Sequence, residues 1–432
     1  MDLFPQTSLN AGVRKREVFG WAMYDFANSG YTTVVLTAVF NAYFVSVVAQ
    51  GAVWATLAWT LCLALSSAVV MLTMPALGAW ADRHAAKKKV LSLATAGCVA
   101  GTAALAWAGP GDLWLAAAAV LFSNVFFCYG EALTAAFLPE LARRDSLGRV
   151  SGWGWSFGYF GGMLTLGLCL AHVLAAQARG EPASQFVPVT MLITAGVFAV
   201  AALATFGLLK ERAQVTAASS HHTGSALARM FTSLREVRDY PDFRALLLCA
   251  VAYQAGIAVV IALAAVYAEQ VLGFKQLDTM ALVFLVNIAS AAGAFLWGYA
   301  QDRLGHQLAL GVTLWGWIAM VLMAAAASSR PLFWAAALLA GLCMGASQSA
   351  GRALAGLLAP ASRLAEFFGL WAMAVRFAAI LGPVTYGVVV WVSAGNHRAA
   401  ILSTAVFFAA GLLLLRRVQV ARGAALALAD PS

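Results

Sequence analysis

Apolar residues run through the 432-residue chain in about twelve long stretches broken by short polar segments. A stretch of roughly 20 apolar residues is what an α-helix needs to cross a hydrocarbon core about 30 Å thick. The pattern predicts spans near 18–48, 53–81, 90–108, 113–138, 149–176, 186–209, 243–268, 277–300, 307–327, 332–357, 367–392 and 399–416. The longest polar stretch, Lys210 to Asp242, is rich in Ala, Ser, Thr and charge and falls between the sixth and seventh. It divides the chain into an N-terminal six-helix bundle (1–209), a cytoplasmic linker (210–242), and a C-terminal six-helix bundle with a short cytoplasmic tail (243–432). Within the linker, Arg229 to Asp239 reads as a short amphipathic helix on the membrane surface.

Composition narrows the class. With 62% hydrophobic and 10% charged residues and a mean hydropathy of +0.82, the chain fits a polytopic helical membrane protein and no soluble class. The first apolar run begins near Val18, is too long for a signal peptide and lacks a small-residue cleavage site. Assigning loops alternately to two sides places 21 of the 27 basic residues on the side of the N-terminus and 4 on the other. Both termini are therefore expected in the cytoplasm, with a bacterial inner membrane as the expected location. The net charge of +9 needs no nucleic acid to explain it. All six cysteines lie inside apolar runs and read as small core residues. The pair His221-His222 points to two faces of any helix and has no carboxylate or thiol nearby, so no metal is expected. There is no P-loop, no Gly-x-Ser-x-Gly and no His-Glu-x-x-His, so neither an enzyme nor a cofactor is expected.

The candidate chemistry lies in the few polar residues inside the spans. A carboxylate at Asp25, about eight residues into the first run, costs on the order of 2.5–3.5 kcal/mol on insertion scales, which makes it a functional candidate. Asp25 and Thr32 share a helix face, with Asn28 about 60° away. Glu131 follows Asn124 by seven residues on the fourth span, Tyr253 and Gln254 mark the seventh, and Gln348 and Arg352 share a face of the tenth. Arg376 lies within the eleventh. Glu131 precedes Pro139 by eight residues and Arg352 precedes Pro360 by eight, so the two should sit at similar depth and pair across the halves. These groups either handle substrate or protons or satisfy one another in a helical bundle. Gly154, Gly158 and Gly162, four apart on the fifth span, predict tight packing against a helix of the other half.

Two motifs carry a family resemblance. Gly78-Ala79-Trp80-Ala81-Asp82-Arg83 has an echo 220 positions later, Gly298-Tyr299-Ala300-Gln301-Asp302-Arg303. Glycine at a helix end admits a close neighbour, and the aspartate can face the partial positive charge of a helix N-terminus. This spacing resembles the loop between the second and third helices of major facilitator superfamily transporters, and its copy between the eighth and ninth. The string Tyr24-Asp25-Phe26-Ala27-Asn28-Ser29 is similar to the first helix of the autophagy-related vacuolar effluxer family within that superfamily. Gly152-Trp153-Gly154-Trp155 through Gly162 resembles that family's fifth helix. Ala365 to Trp371, with Ala378 to Pro383, resembles its eleventh. One departure is Arg376, where that family commonly has Lys or another polar residue, and a flat fork there replaces a point charge.

The resemblance implies an all-α polytopic fold of twelve helices in two pseudo-symmetric bundles, with helices 1, 4, 7 and 10 lining a central cavity. It implies secondary transport of a small polar solute, an amino acid or related zwitterion, by alternating access and in the direction of export, with protons as candidate coupling ions. The substrate-binding or proton-coupling candidates are Asp25, Asn28, Glu131, Gln254, Gln348, Arg352 and Arg376. The expected conformational gate is Gly78, Asp82 and Arg83 with Gly298, Asp302 and Arg303. Gly158 is followed by Tyr159, so the antiporter form of the fifth helix is incomplete and the direction stays open. Partners are the small-molecule substrate and the lipid bilayer, with a monomer expected. Two alternatives stand beside this reading: a proton-coupled exporter of drugs or amphipathic solutes, and a non-transporting membrane sensor.

Overall fold

The protein is described by a computed structural model covering residues 4–212, 226–272, 274 and 276–430. Among the described residues, twelve helices are long and apolar enough to cross a membrane. We label them α1 (Lys15–Val48), α2 (Ala55–Arg83), α3 (Lys87–Trp107), α4 (Leu113–Leu141), α5 (Leu147–Ala178) and α6 (Ala183–Leu208). The second set is α7 (Pro241–Leu272), α8 (Gln276–Leu304), α9 (His306–Ala326), α10 (Arg330–Leu358), α11 (Leu364–Val392) and α12 (His397–Leu415). Their bounds lie within a few residues of those the apolar pattern predicts. The pair His221-His222 lies outside the described residues.

α1 departs from a plain helix. Its β-branched run Thr32-Thr33-Val34-Val35 opens into wide π turns over Thr32–Ala38 and again over Phe44–Val48. Such residues crowd the preceding turn and have poor helix propensity, and wide turns of this kind recur at functional sites. Threonine hydroxyls take up the loosened carbonyls: Thr33 donates to the Ser29 carbonyl at 2.9 Å and Thr37 to that of Thr32 at 3.0 Å.

The halves meet along α2 with α11 and along α5 with α8, where glycines let backbones touch. A Cβ on Gly78 would lie 2.2 Å from the carbonyl oxygen of Ala365 on α11. One on Gly152 would lie 2.4 Å from the carbonyl oxygen of Ala294 on α8. The expected role of Gly154, Gly158 and Gly162 is corrected in part: their Cβ positions meet Asp25, Ser29 and Thr33 of α1, inside their own half, while that of Gly154 also lies 2.6 Å from Nη2 of Arg352, on α10 of the other half. The stripe facing the other half is Gly148 and Gly152, continued by Ser156, which donates to the Ala291 carbonyl at 2.8 Å. With 3.6 residues per turn, a two-residue offset turns the face through about 200°.

Short segments brace the face that carries both termini. Leu9 pairs with Ala142 as an isolated antiparallel bridge, and Asn10 donates to the carbonyls of Pro139 and Glu140, both at 3.0 Å. The linker forms a helix over Ala226–Glu236. From it Ser233 donates to Glu366 at 2.5 Å, and Glu236 pairs with Arg363. The segment expected as a tail is instead a docked helix, Val420–Ala429. Asp242 holds it, accepting from the Gln419 N–H at 2.7 Å and from two nitrogens of Arg422 at 2.9 Å. Arg144 of the first half reaches across and donates to the Ala424 carbonyl at 3.1 Å.

Candidate functional site

Between the halves lies a cavity of about 400 Å³, running from mid-depth toward the face opposite the termini. Helices from both halves build it, and the loosened turns of α1 deliver Thr32, Thr33 and Thr37 to its wall. Of the residues singled out by polarity, Asp25, Asn28, Glu131, Gln348, Arg352 and Arg376 all line it. Gln254 stands behind them, buried, with its amide nitrogen donating to Gln348 Oε1 at 2.7 Å.

At the cavity two ion pairs cross between the halves, and their partners differ from those expected. Arg352 pairs with Asp25, not Glu131: its Nη1 donates to the Asp25 carboxylate at 2.7 Å. The expected Glu131–Arg352 pair rested on depth read from proline spacing, and depth does not fix which way each helix is rotated. Glu131 instead takes Arg376 of α11.

The settings of the pairs are unlike. Arg352 is 7% exposed, and Ser151, Asp25, Trp21 and Trp155 of the first half hold its guanidinium. Its Nε donates to the Ser151 hydroxyl at 3.1 Å and its Nη2 to the Ser151 carbonyl at 2.8 Å. The rings of Trp21 and Trp155 flank it, 4.8 and 5.3 Å from ring centre to guanidinium carbon, a cation–π arrangement that strengthens away from water. Glu131, by contrast, is 39% exposed, and the Nε of Arg376 is buried with no partner. The Oδ1 of Asn28 and the Nε1 of Trp155 are likewise buried and unpartnered. Native structures leave few such groups without a partner, and here three of them belong to residues of one cavity.

The face that carries the termini is closed by two matching contacts. The Asp82 carboxylate accepts from the backbone N–H groups of Ala365 at 3.1 Å and Glu366 at 2.9 Å, the second and third residues of α11. The Asp302 carboxylate accepts from those of Gly148 at 2.8 Å and Arg149 at 3.1 Å, the second and third residues of α5. Each aspartate thus sits where a helix carries its partial positive end, in the other half of the molecule. Lys87, buried, stands 3.9 Å from Asp82 and pairs with Glu140. Arg149 adds a bond to Asp302 at 2.7 Å. The arginines expected beside these aspartates do otherwise: Arg83 donates back to the Ala79 carbonyl of its own helix at 3.0 Å, and Arg303 is exposed.

Sequence reasoning missed Ser151, Trp21 and Trp155. Trp155 belongs to a string that carried the family resemblance and Trp21 lies three residues before another, but among 14 tryptophans nothing in the sequence marks the two that hold an arginine.

Comparison with known proteins agrees with this geometry. A family described as "Vacuole effluxer Atg22 like" matches residues 52–427. An uncharacterized MFS-type transporter of Bacillus subtilis strain 168, YxiO, is 26% identical over 405 residues, covering 91% of this chain and 93% of that protein. Among solved structures, the human organic anion transporter MFSD10 (TETRAN) superposes with a TM-score of 0.75 at 16% identity, over 93% of this chain and 99% of that one. The Escherichia coli fucose:proton symporter FucP gives 0.69 at 17% identity, over 94% and 98%. A bacterial homologue of the iron transporter ferroportin, in its outward-facing state, gives 0.68 at 15% identity, over 95% and 99%.

Proposed function

Because the chain belongs to the Atg22-like vacuole effluxer family of major facilitator transporters, we propose that it carries a small zwitterion, an amino acid or close relative, by alternating access about the cavity described above. It is a multi-pass membrane transporter, not an enzyme. The observation that carries the substrate reading is the pair of ion pairs, each joining a carboxylate of the first half to an arginine of the second. A zwitterion offers the same two charges, so it can take the place of a partner in either pair. Glu131 and Arg376 are the better seat. Glu131 is the more exposed carboxylate, Arg376 holds an unused donor, and the Asn28 Oδ1 supplies a further acceptor for an ammonium group.

The Asp25–Arg352 pair takes the other role, a bolt between the halves. Rocking the halves apart on the terminal face must withdraw Arg352 from its socket and Asp82 and Asp302 from their helix ends, while the opposite face closes. With both termini in the cytoplasm, the state described is the outward-facing one. Cysteines placed at Ser329 and Ser219 test that orientation in intact cells. Labelling of the Ser329 site alone from outside is expected, and external labelling of the Ser219 site would overturn the topology.

Purified protein in liposomes tests the substrate. Counterflow of labelled amino acids is expected, with Arg376→Lys and Glu131→Gln each raising KM about tenfold, the size of one lost charge-assisted hydrogen bond. Protons are proposed to enter through Glu131. On that reading Glu131→Gln abolishes proton-driven accumulation but retains exchange, while Asp25→Asn impairs both. Equal loss of both activities in Glu131→Gln would remove the proton from the scheme. A second reading rests on the apolar wall, where Phe127, Tyr267, Phe333 and Trp371 face the same space. If amphipathic solutes counterflow and amino acids do not, that reading replaces the first.

A further inference from the structure

We infer that Trp155 is a specificity-determining residue that donates its indole N–H to the substrate's carboxylate and passes occupancy of the cavity to the Arg352 bolt. The inference rests on the zwitterion reading above and assigns it a residue that polarity alone does not mark.

Two tryptophans flank one guanidinium, and they are not equivalent. Trp21 is fully buried, and its Nε1 donates to the Thr134 carbonyl at 2.8 Å, so its position is set by the first half itself. Trp155 lines the cavity, and its Nε1 is buried without an acceptor. A donor left unmatched in an apolar setting is costly, and the cost is relieved only when an acceptor arrives. Three of the five N–H groups of Arg352 are already engaged. Its Nε and Nη2 are committed to Ser151, and its Nη1 to Asp25.

Among the described residues lining the cavity, the Nε of Arg376 is a second buried donor without a partner. Trp155 and Arg376 together therefore offer two N–H groups, one from each half, and a carboxylate has two oxygens to accept them. Asn28 Oδ1 and Glu131 supply acceptors for the ammonium. This set of donors and acceptors is complementary to an α-amino acid with both charged groups free. It discriminates against analogues lacking the carboxylate, because loss of an expected acceptor leaves buried donors unpaired.

Trp155 also has a second task that its edge does not share. Its face lies 5.3 Å from the Arg352 guanidinium, so any turn of the indole toward a bound carboxylate changes the stack on the bolt. Tyr159, one helical turn on, packs at 5.9 Å between ring centres and lines the same cavity, which limits the ring to small turns.

The test separates edge from face. In liposomes, counterflow KM is measured for a zwitterionic amino acid and for its amide, which lacks the carboxylate. Trp155→Phe keeps an aromatic face and removes the N–H. It is expected to raise KM for the amino acid about tenfold, to leave KM for the amide within twofold, and to retain exchange turnover. Trp155→His, which keeps a ring N–H, should recover part of the preference. Trp155→Ala should also slow exchange, since the stack on Arg352 is lost. Equal changes for amino acid and amide, or no change for either, would overturn the inference and leave the zwitterion reading standing. Absence of amino-acid counterflow in the parent protein would overturn both.

Discussion

Replacing Arg352 by alanine should abolish transport and lower stability by about 3–5 kcal/mol, because it leaves a largely buried carboxylate with no counter-charge. Asp25 is only 15% exposed, and among the described residues its carboxylate pairs with no other cation. The converse substitution is milder. In Asp25→Asn the guanidinium keeps both bonds to Ser151 and both indole faces, so a loss of about 1–2 kcal/mol is expected. Removing both charges, as in Asp25→Leu with Arg352→Met, should restore much of the stability while transport stays absent. Unfolding in detergent followed by intrinsic fluorescence measures all three. If Arg352→Ala unfolds like the parent, the bolt carries no weight in the fold.

Substituting valine for Gly78 should bias the molecule toward a state open on the terminal face. The added Cβ would sit 2.2 Å from a main-chain carbonyl of α11, and backbone cannot move aside as a side chain can. Relief comes only from separating α2 and α11, which also draws Asp82 away from the α11 N-terminus. A bias of about 2 kcal/mol shifts the ratio of states roughly thirtyfold. A cysteine at the buried position of Ala365 should then become reactive from the terminal side. Gly345 provides the control, since its Cβ would lie 1.9 Å from the Ser290 carbonyl oxygen. That clash lies between α10 and α8 within one half, so Gly345→Ala should cost stability without favouring either state. Identical labelling of Ala365→Cys with and without Gly78→Val would show that this contact does not choose between states.

The spans were legible because a helix in lipid must be apolar over its whole length, and no other element shares that requirement. The halves were legible because Gly78 to Arg83 and Gly298 to Arg303 repeat. Candidate cavity residues were legible for the opposite reason: a polar group such as Asp25 or Arg376 stands out against an apolar run. Pairing was not. Asp25 with Arg352 and Glu131 with Arg376 depend on the rotation of four helices, and sequence spacing specifies rotation within a helix but not between helices. The glycine stripe failed for a related reason. Gly154, Gly158 and Gly162 do share a face, but only packing decides that this face meets α1, and Arg352 at its Gly154 end, while Gly148 and Gly152 meet α8. The docked helix over Val420–Ala429 was read as a tail because it is too short to give a span signal.

The division of charge between the halves bears on electrical behaviour. Both carboxylates belong to the first half and both arginines to the second, so the four groups sum to zero when paired. On the substrate reading proposed above, the bound zwitterion adds no net charge. The loaded and the empty carrier therefore cross the membrane field with the same net charge at the site, and neither crossing gains from a potential that acts with about 2.3 kcal/mol per elementary charge per 100 mV. Zwitterion exchange should proceed at the same rate at 0 and at −100 mV, and any current recorded during net uptake counts the ions that travel with the substrate.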